Sequence, residues 1–139
     1  MKLPYIALSS LALVALAGCN KTPAEPAAPV AAPTEVAAVK TPPPEYPIEL
    51  ACQGIGGTST FKVTIAADGQ PSQVQLASGS GNAQLDEQAQ KAVQAWQFKA
   101  ATRAGQTVST TIQVPVSFNP PQPKPDQCFA VEERLRRGG

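Results

Sequence analysis

The 139 residues contain no histidine, and with it goes the side chain most often used as a general base near neutral pH and as a metal ligand. Most hydrolase and zinc-site chemistry falls with it. Net charge is also nearly absent. Eleven Lys and Arg stand against ten Asp and Glu, a formal charge of +1, and aromatic residues make up 5% of the chain. A polyanion would meet neither an attractive field nor stacking platforms, so no nucleic-acid partner is expected. The apolar run Leu11-Ala12-Leu13-Val14-Ala15-Leu16 is too short to cross a bilayer comfortably. The run Ser78-Gly79-Ser80-Gly81 lacks a Gly-x-Ser-x-Gly frame and has no imidazole to activate it. Gly54, Gly56 and Gly57 follow no strand and lead to no Lys-Ser/Thr, so they read as turn glycines rather than a phosphate loop. An enzyme is not expected, and no cofactor or metal site is indicated.

What is present is periodicity. Leu85, Ala89, Ala92, Val93 and Trp96 recur at helical spacing, with Glu87, Gln90, Lys91 and Gln94 opposite, which predicts an amphipathic helix from Leu85 toward Phe98. Asn82 is placed to cap it, and Asp86 and Glu87 lie where the helix dipole favours acids. Val108, Thr110, Ile112, Val114, Val116 and Phe118 alternate with Ser109, Thr111, Gln113, Pro115 and Ser117, the period of a strand with one dry face. Phe61 to Ile65 and Val74 to Leu76 alternate in the same way around Asp68-Gly69, a hairpin signal. A hairpin, a helix and a third strand form an α+β, two-layer domain: a three-stranded antiparallel or mixed sheet with the helix on one face. The right-handed crossover places the third strand beside the first. That strand is then an edge, with free main-chain groups able to accept an extended peptide by β-augmentation. The candidate partner-binding residues are Thr111, Ile112, Gln113, Val114, Val116 and Ser117. Pro115 removes one donor there, either as a guard against sticking or as a tolerated gap in a binding edge.

Before this domain, residues 1–18 carry Lys2, the short apolar core and small residues, the plan of an export signal. Leu16-Ala17-Gly18-Cys19 resembles a bacterial lipoprotein cleavage box, which implies a lipidated Cys19 and a membrane anchor; the alternative is an ordinary signal cleaved nearby. Asn20, where inner-membrane lipoproteins tend to carry Asp, favours the outer membrane on that resemblance. Residues 19–45 are rich in Pro and Ala and read as an extended tether. At about 3.1 Å per residue their maximum reach is roughly 80 Å. The domain is expected over 46–119 and a Pro-rich, basic tail over 120–139, with Phe129 to Arg137 a short helix carrying Glu132–Arg136 and Glu133–Arg137 pairs. Tyr46-Pro47 leads into Ile48 to Cys52, one or two helical turns.

In order, the chain reads Tyr46-Pro47, Asp68-Gly69, Ser78-Gly79, Leu85-Asp86, Trp96-Gln97-Phe98, Gly105 and Val114-Pro115-Val116-Ser117-Phe118. This ordered set resembles the C-terminal domain of TonB-family energy transducers, over roughly residues 44 to 119. The resemblance implies a periplasmic domain that binds a short segment of an outer-membrane TonB-dependent transporter as an added strand. Energy-transducing members carry an uncleaved inner-membrane helix that meets a proton-driven motor. Here a removable lipoprotein signal takes that place, so the resemblance implies the binding half of the job. The alternative function is a structural envelope lipoprotein that touches the cell wall or another envelope complex.

Three cysteines in an exported chain resolve as an acylated Cys19 and a pair, Cys52 and Cys128, either disulfide-bonded or as free thiols. Antiparallel pairing brings the start of the first strand beside the end of the third, and the connection to Cys128 reaches easily, which favours the disulfide. The tail so fastened could also lie against the third strand's edge and block it.

Overall fold

Strand Gly57–Ile65 is the centre of the domain because its two neighbours carry complementary patterns. The computed structural model describes Gly18 and residues 31–139; the rest of the signal segment, Cys19 and the first half of the tether lie outside the described residues. In chain order the elements are β1 (Ala37–Lys40), α1 (Ile48–Cys52), β2 (Gly57–Ile65), β3 (Pro71–Ser78), α2 (Ala83–Ala95), β4 (Gln97–Lys99), β5 (Ala101–Arg103), β6 (Gln106–Val108), β7 (Thr110–Phe118) and α3 (Gln127–Arg137). The main sheet has the order β3-β2-β7, antiparallel throughout. Its topology is the one the hairpin, helix and third strand predict.

The side chains of Phe61, Val63 and Ile65 on β2, and of Val114, Val116 and Phe118 on β7, point to one face and are buried with Leu50, Leu85, Ala89, Val93 and Phe98. Asp68-Gly69 makes the hairpin turn: Gln70 N–H donates to Asp68 Oδ1 at 2.9 Å and Gly69 has φ +85, a backbone state that glycine adopts without steric cost. Helix α2 begins at Asn82, whose Oδ1 accepts from Gln84 and Leu85 N–H at 3.0 and 3.2 Å. Its buried stripe is Leu85, Ala89 and Val93.

The helix ends earlier than its apolar spacing suggests. Trp96 is extended (φ -71, ψ 153) and half-buried, and Gln97–Lys99 is strand β4. Phe98 N–H donates to Gly69 O at 3.0 Å, so the hairpin tip supplies the partner that another helical turn would have provided. The side chain of Phe98 enters the core from this strand rather than from the helix.

Two further differences concern segments read as irregular. Within 19–45, β1 pairs antiparallel with β4, and Thr34 exchanges main-chain hydrogen bonds of 3.1 Å with Thr102. The tether therefore joins the domain well before Tyr46, anchored by a half-buried Val36. Between β4 and β7 lies a small hairpin, β5-β6, turning at Ala104 and Gly105, both with positive φ; it takes Val108, which the alternation counts with the third strand, into β6.

In the tail, α3 starts at Gln127 and packs on α1. Cys128, Val131 and Cys52 form a second small core, with Ile48 against it. Of the two expected ion pairs, Glu133–Arg137 is present at 2.8 Å. Glu132 instead takes Lys124 at 2.6 Å, and Arg136 pairs with Glu133. The chain's return through Pro120 and beyond brings Lys124 within reach, a tertiary effect that helix spacing does not contain.

Candidate functional site

The outer flank of β7 follows from how β7 meets β2. They pair without a register shift from Gly57↔Phe118 to Ile65↔Thr110. β3, the opposite edge, pairs with β2 through two shifts and begins at a proline. A regular strand offers evenly placed main-chain groups, whereas bulges disrupt them. Among the described residues β7 has β2 as its one strand neighbour.

In an antiparallel pair, alternate residues turn their N–H and C=O toward the partner or away from it, and side chains come closer in the non-hydrogen-bonded pairs. Three observations fix which β7 residues turn away. The hydroxyls of Thr58 and Ser117 share a hydrogen bond of 2.9 Å, as do those of Thr64 and Thr111 at 3.1 Å, which marks these as close, non-hydrogen-bonded pairs. Thr64 C=O accepts from Ser72 Oγ on β3 at 3.1 Å, so it faces β3 and not Thr111. Pro115 has no N–H, and in a sheet such a residue belongs where its missing donor would point to solvent. All three place the free groups on the odd-numbered residues: N–H and C=O of Thr111, Gln113 and Ser117, and C=O of Pro115.

This phase divides the six sequence-predicted residues. Thr111, Gln113 and Ser117 are exposed and present main-chain donors and acceptors at the edge. Ile112 is half-buried, and Val114 and Val116 are buried. Their main chain is committed to β2, and they back the edge from the core side. The carbonyl of Pro115 joins the edge although sequence reasoning passed over it; the signal for it was strand parity, which could be read once Thr58 and Thr64 were known to pair with Ser117 and Thr111.

The Cys52–Cys128 disulfide is formed, with Cα atoms 5.2 Å apart and both residues buried. It ties α3 to α1. The two cysteines are 76 residues apart in the chain, and closing such a loop contributes up to about 4.5 kcal/mol in the chain-entropy model. Asp86 has a structural role larger than that of a first-turn acid. It accepts Ser59 Oγ at 2.6 Å and Ser80 N–H at 2.8 Å. Desolvation alone would raise its pKa, but the hydrogen bonds from Ser59 and Ser80 outweigh it and hold the carboxyl below its ordinary value. Glu87 is the solvent-side acid, paired with Lys91 at 2.8 Å. Tyr46 OH donates to Ile55 O at 2.7 Å and its ring meets Phe118 edge-on at 5.3 Å. Burial raises its pKa.

Among the described residues no group of His, Cys, Asp or Glu could hold a metal ion, and no helix is long and apolar enough to cross a membrane.

Residues 42–120 match the family model described as Gram-negative bacterial TonB protein C-terminal. Protein tonB2 of Pseudomonas aeruginosa is 38% identical over 77 residues, which cover 55% of this chain and 28% of that protein. Protein TonB of Xanthomonas campestris pv. campestris is 34% identical over 76 residues, 55% of this chain and 34% of that one. This chain thus spans about a third or less of the length of these curated relatives. A solution NMR structure of the Pseudomonas aeruginosa TonB CTD is similar over 66% of this chain and 90% of its own, at 23% identity and a TM-score of 0.49. The matched region runs from ahead of α1 to the residues just after β7, more than half of the chain, and so the chain belongs to the TonB C-terminal family.

Proposed function

We propose that the domain is a binding module in TonB-dependent envelope transport, which takes a short extended segment of an outer-membrane transporter as an added strand along β7. The observation that carries this reading is the long, unshifted strand with one strand neighbour among the described residues and outward main-chain groups at Thr111, Gln113, Pro115 and Ser117. Main-chain bonding supplies affinity in such additions, and the flanking side chains select the segment. Polar Thr111, Gln113 and Ser117 line one side of the docked strand and the half-buried Ile112 the other, a pattern suited to a segment of alternating polar and apolar residues. The module works by binding, not by catalysis.

In this reading the mature chain is held to the outer membrane by acyl groups on Cys19 and faces the periplasm. A disulfide between Cys52 and Cys128 suits that oxidising compartment. Lipid on the mature N-terminal peptide, measured by mass, tests the anchor.

Titrating the labelled protein with a synthetic peptide of a transporter's periplasm-facing segment tests the binding. Amide shifts are expected to concentrate at Thr111, Gln113 and Ser117. A saturable complex with its shifts elsewhere, or no complex at millimolar peptide, overturns the reading. Cross-linking in cells to cell-wall partners alone would favour a structural envelope role instead.

A further inference from the structure

Natural sheets protect an exposed edge with charged residues, bulges, short strands or proline. β7 uses only the last. It runs nine residues from Thr110 to Phe118 and contains no charged side chain, its pairing with β2 has no bulge, and its sequence is rich in Thr, Val and Ile. A second copy of the same edge is therefore the partner most readily at hand. Two copies related by a two-fold axis would pair antiparallel, each offering the same patch to the other.

We propose that Pro115 is the specificity-determining residue of this edge: it bars a second copy of the chain while leaving the edge open to a strand that lacks proline. The phase of β7 carries the argument. Because Thr111 and Ser117 turn their main chain away from β2, so does Pro115, which lies in the same alternation. Its ring carbon Cδ stands where an amide hydrogen would meet an incoming strand. The facing carbonyl finds no donor and is pushed back. In any two-fold pairing that spans Pro115, both copies bring this defect, so each leaves one carbonyl of the other unsatisfied. A foreign strand meets it once: a single carbonyl of it goes without a donor, or turns away in a local bulge, while it bonds at Thr111, Gln113 and Ser117. Had Pro115 fallen one residue earlier or later, its missing donor would have pointed into the β2 ladder and weakened the fold.

This inference rests on the same open edge as the proposed binding function, but it needs no transporter to test. Sedimentation of the exported chain and of its Pro115→Thr variant, over a range of concentrations, compares their self-association. Threonine suits an exposed strand position and returns one donor to each copy. With about 1 kcal/mol for each restored bond and tenfold per 1.4 kcal/mol, the dimer dissociation constant should fall by about tenfold or more. Equal self-association of the two proteins overturns the proposal.

Residue-resolved amide exchange on the unaltered chain gives a second, independent check. Thr111, Gln113 and Ser117 should exchange fast, and Ile112, Val114 and Val116 slowly; the opposite alternation also overturns it. If Pro115→Thr dimerises while neither protein takes a transporter peptide, the guard stands and the binding function fails. If both proteins take the peptide and self-associate equally, the binding function stands and the guard fails.

Discussion

Ser59, fully buried on β2, donates its hydroxyl to Asp86 Oδ1 on α2 at 2.6 Å. The same oxygen accepts Ser80 N–H, so one carboxylate joins the central strand, the loop after β3 and the first turn of the helix. Gly79 lies so close that a Cβ there would come within 2.8 Å of Asp86 Oδ2. The join sets where the helix lies over the sheet, and hence which face of β7 is dry.

Acid should loosen this join. Asp86 has a folded-state pKa below its ordinary value. Its contribution is therefore complete above the unfolded carboxyl pKa, near 4, and is lost as pH falls through the lower folded value. Asp86→Asn is expected to flatten the acid limb of stability measured by urea unfolding between neutral pH and pH 2. Ser59→Ala should cost about 1–2 kcal/mol at neutral pH, since a buried, charge-assisted hydrogen bond is removed. An unchanged acid limb in Asp86→Asn would refute the assignment.

Much of this architecture was legible because it is local. Alternation gave β2 and β7 with their faces and the place of β3, although Leu76 on β3 is exposed and Val108 belongs to β6; Asn82 gave the helix start; Asp68-Gly69 gave the turn; cysteine arithmetic favoured the Cys52–Cys128 pair. What escaped is held by contacts between distant segments. Ala37-Ala38-Val39-Lys40 has four exposed side chains and pairs through its main chain alone, so no pattern in those residues marks β1. Trp96 continues the helical spacing, yet the carbonyl of Gly69 draws Phe98, two residues on, into a strand. Asp86 looked like a dipole acid because Ser59 lies on another element.

Gly69 should be among the least replaceable positions. Its φ of +85 disfavours any side chain, and a Cβ would collide with the carbonyl oxygen of Phe98, an atom of β4 held near by the bond from Phe98 N–H to Gly69 O. Gly69→Ala is expected to lower stability by about 2–4 kcal/mol, from backbone strain and the clash together. Chemical denaturation checks it, and a loss below about 1 kcal/mol would show that the turn relaxes.

Reduction should act on stability rather than on the binding edge. The disulfide fastens α3 to α1, and β7 keeps its outward groups whether or not α3 is held. Cys52→Ser with Cys128→Ser should lower unfolding free energy by about 2–4 kcal/mol. Affinity for a transporter peptide should stay the same with and without reductant. A clear rise in affinity on reduction would instead show that the tail covers the edge.

The joined end of the tether should report through Trp96, the one tryptophan. Its indole N–H donates to Pro42 O at 2.8 Å, and Val36 is the apolar residue that seats β1. Val36→Asp is expected to shift tryptophan emission to the red and to cost roughly 1 kcal/mol, as befits a half-buried valine. The core of β2, β7 and α2 should remain folded. Unchanged emission would mean that β1 holds without its apolar anchor.

The phase of β7 separates binding from folding in adjacent residues. Gln113→Pro removes a donor that points away from β2, as Pro115 already does, and its side chain lies on the exposed face. Stability should change by less than about 1 kcal/mol. Affinity for a transporter peptide should fall roughly fivefold to tenfold, the loss of about one main-chain bond. Val114→Pro, one residue along, removes a donor to β2 opposite Phe61 and vacates a buried site, so it should cost about 3 kcal/mol or more and unfold the sheet before binding can be measured. Thermal unfolding beside peptide titration distinguishes the two. If Gln113→Pro proves the more destabilising of the pair, the alternation assigned to β7 is reversed, and Ile112, Val114 and Val116 carry the free edge instead.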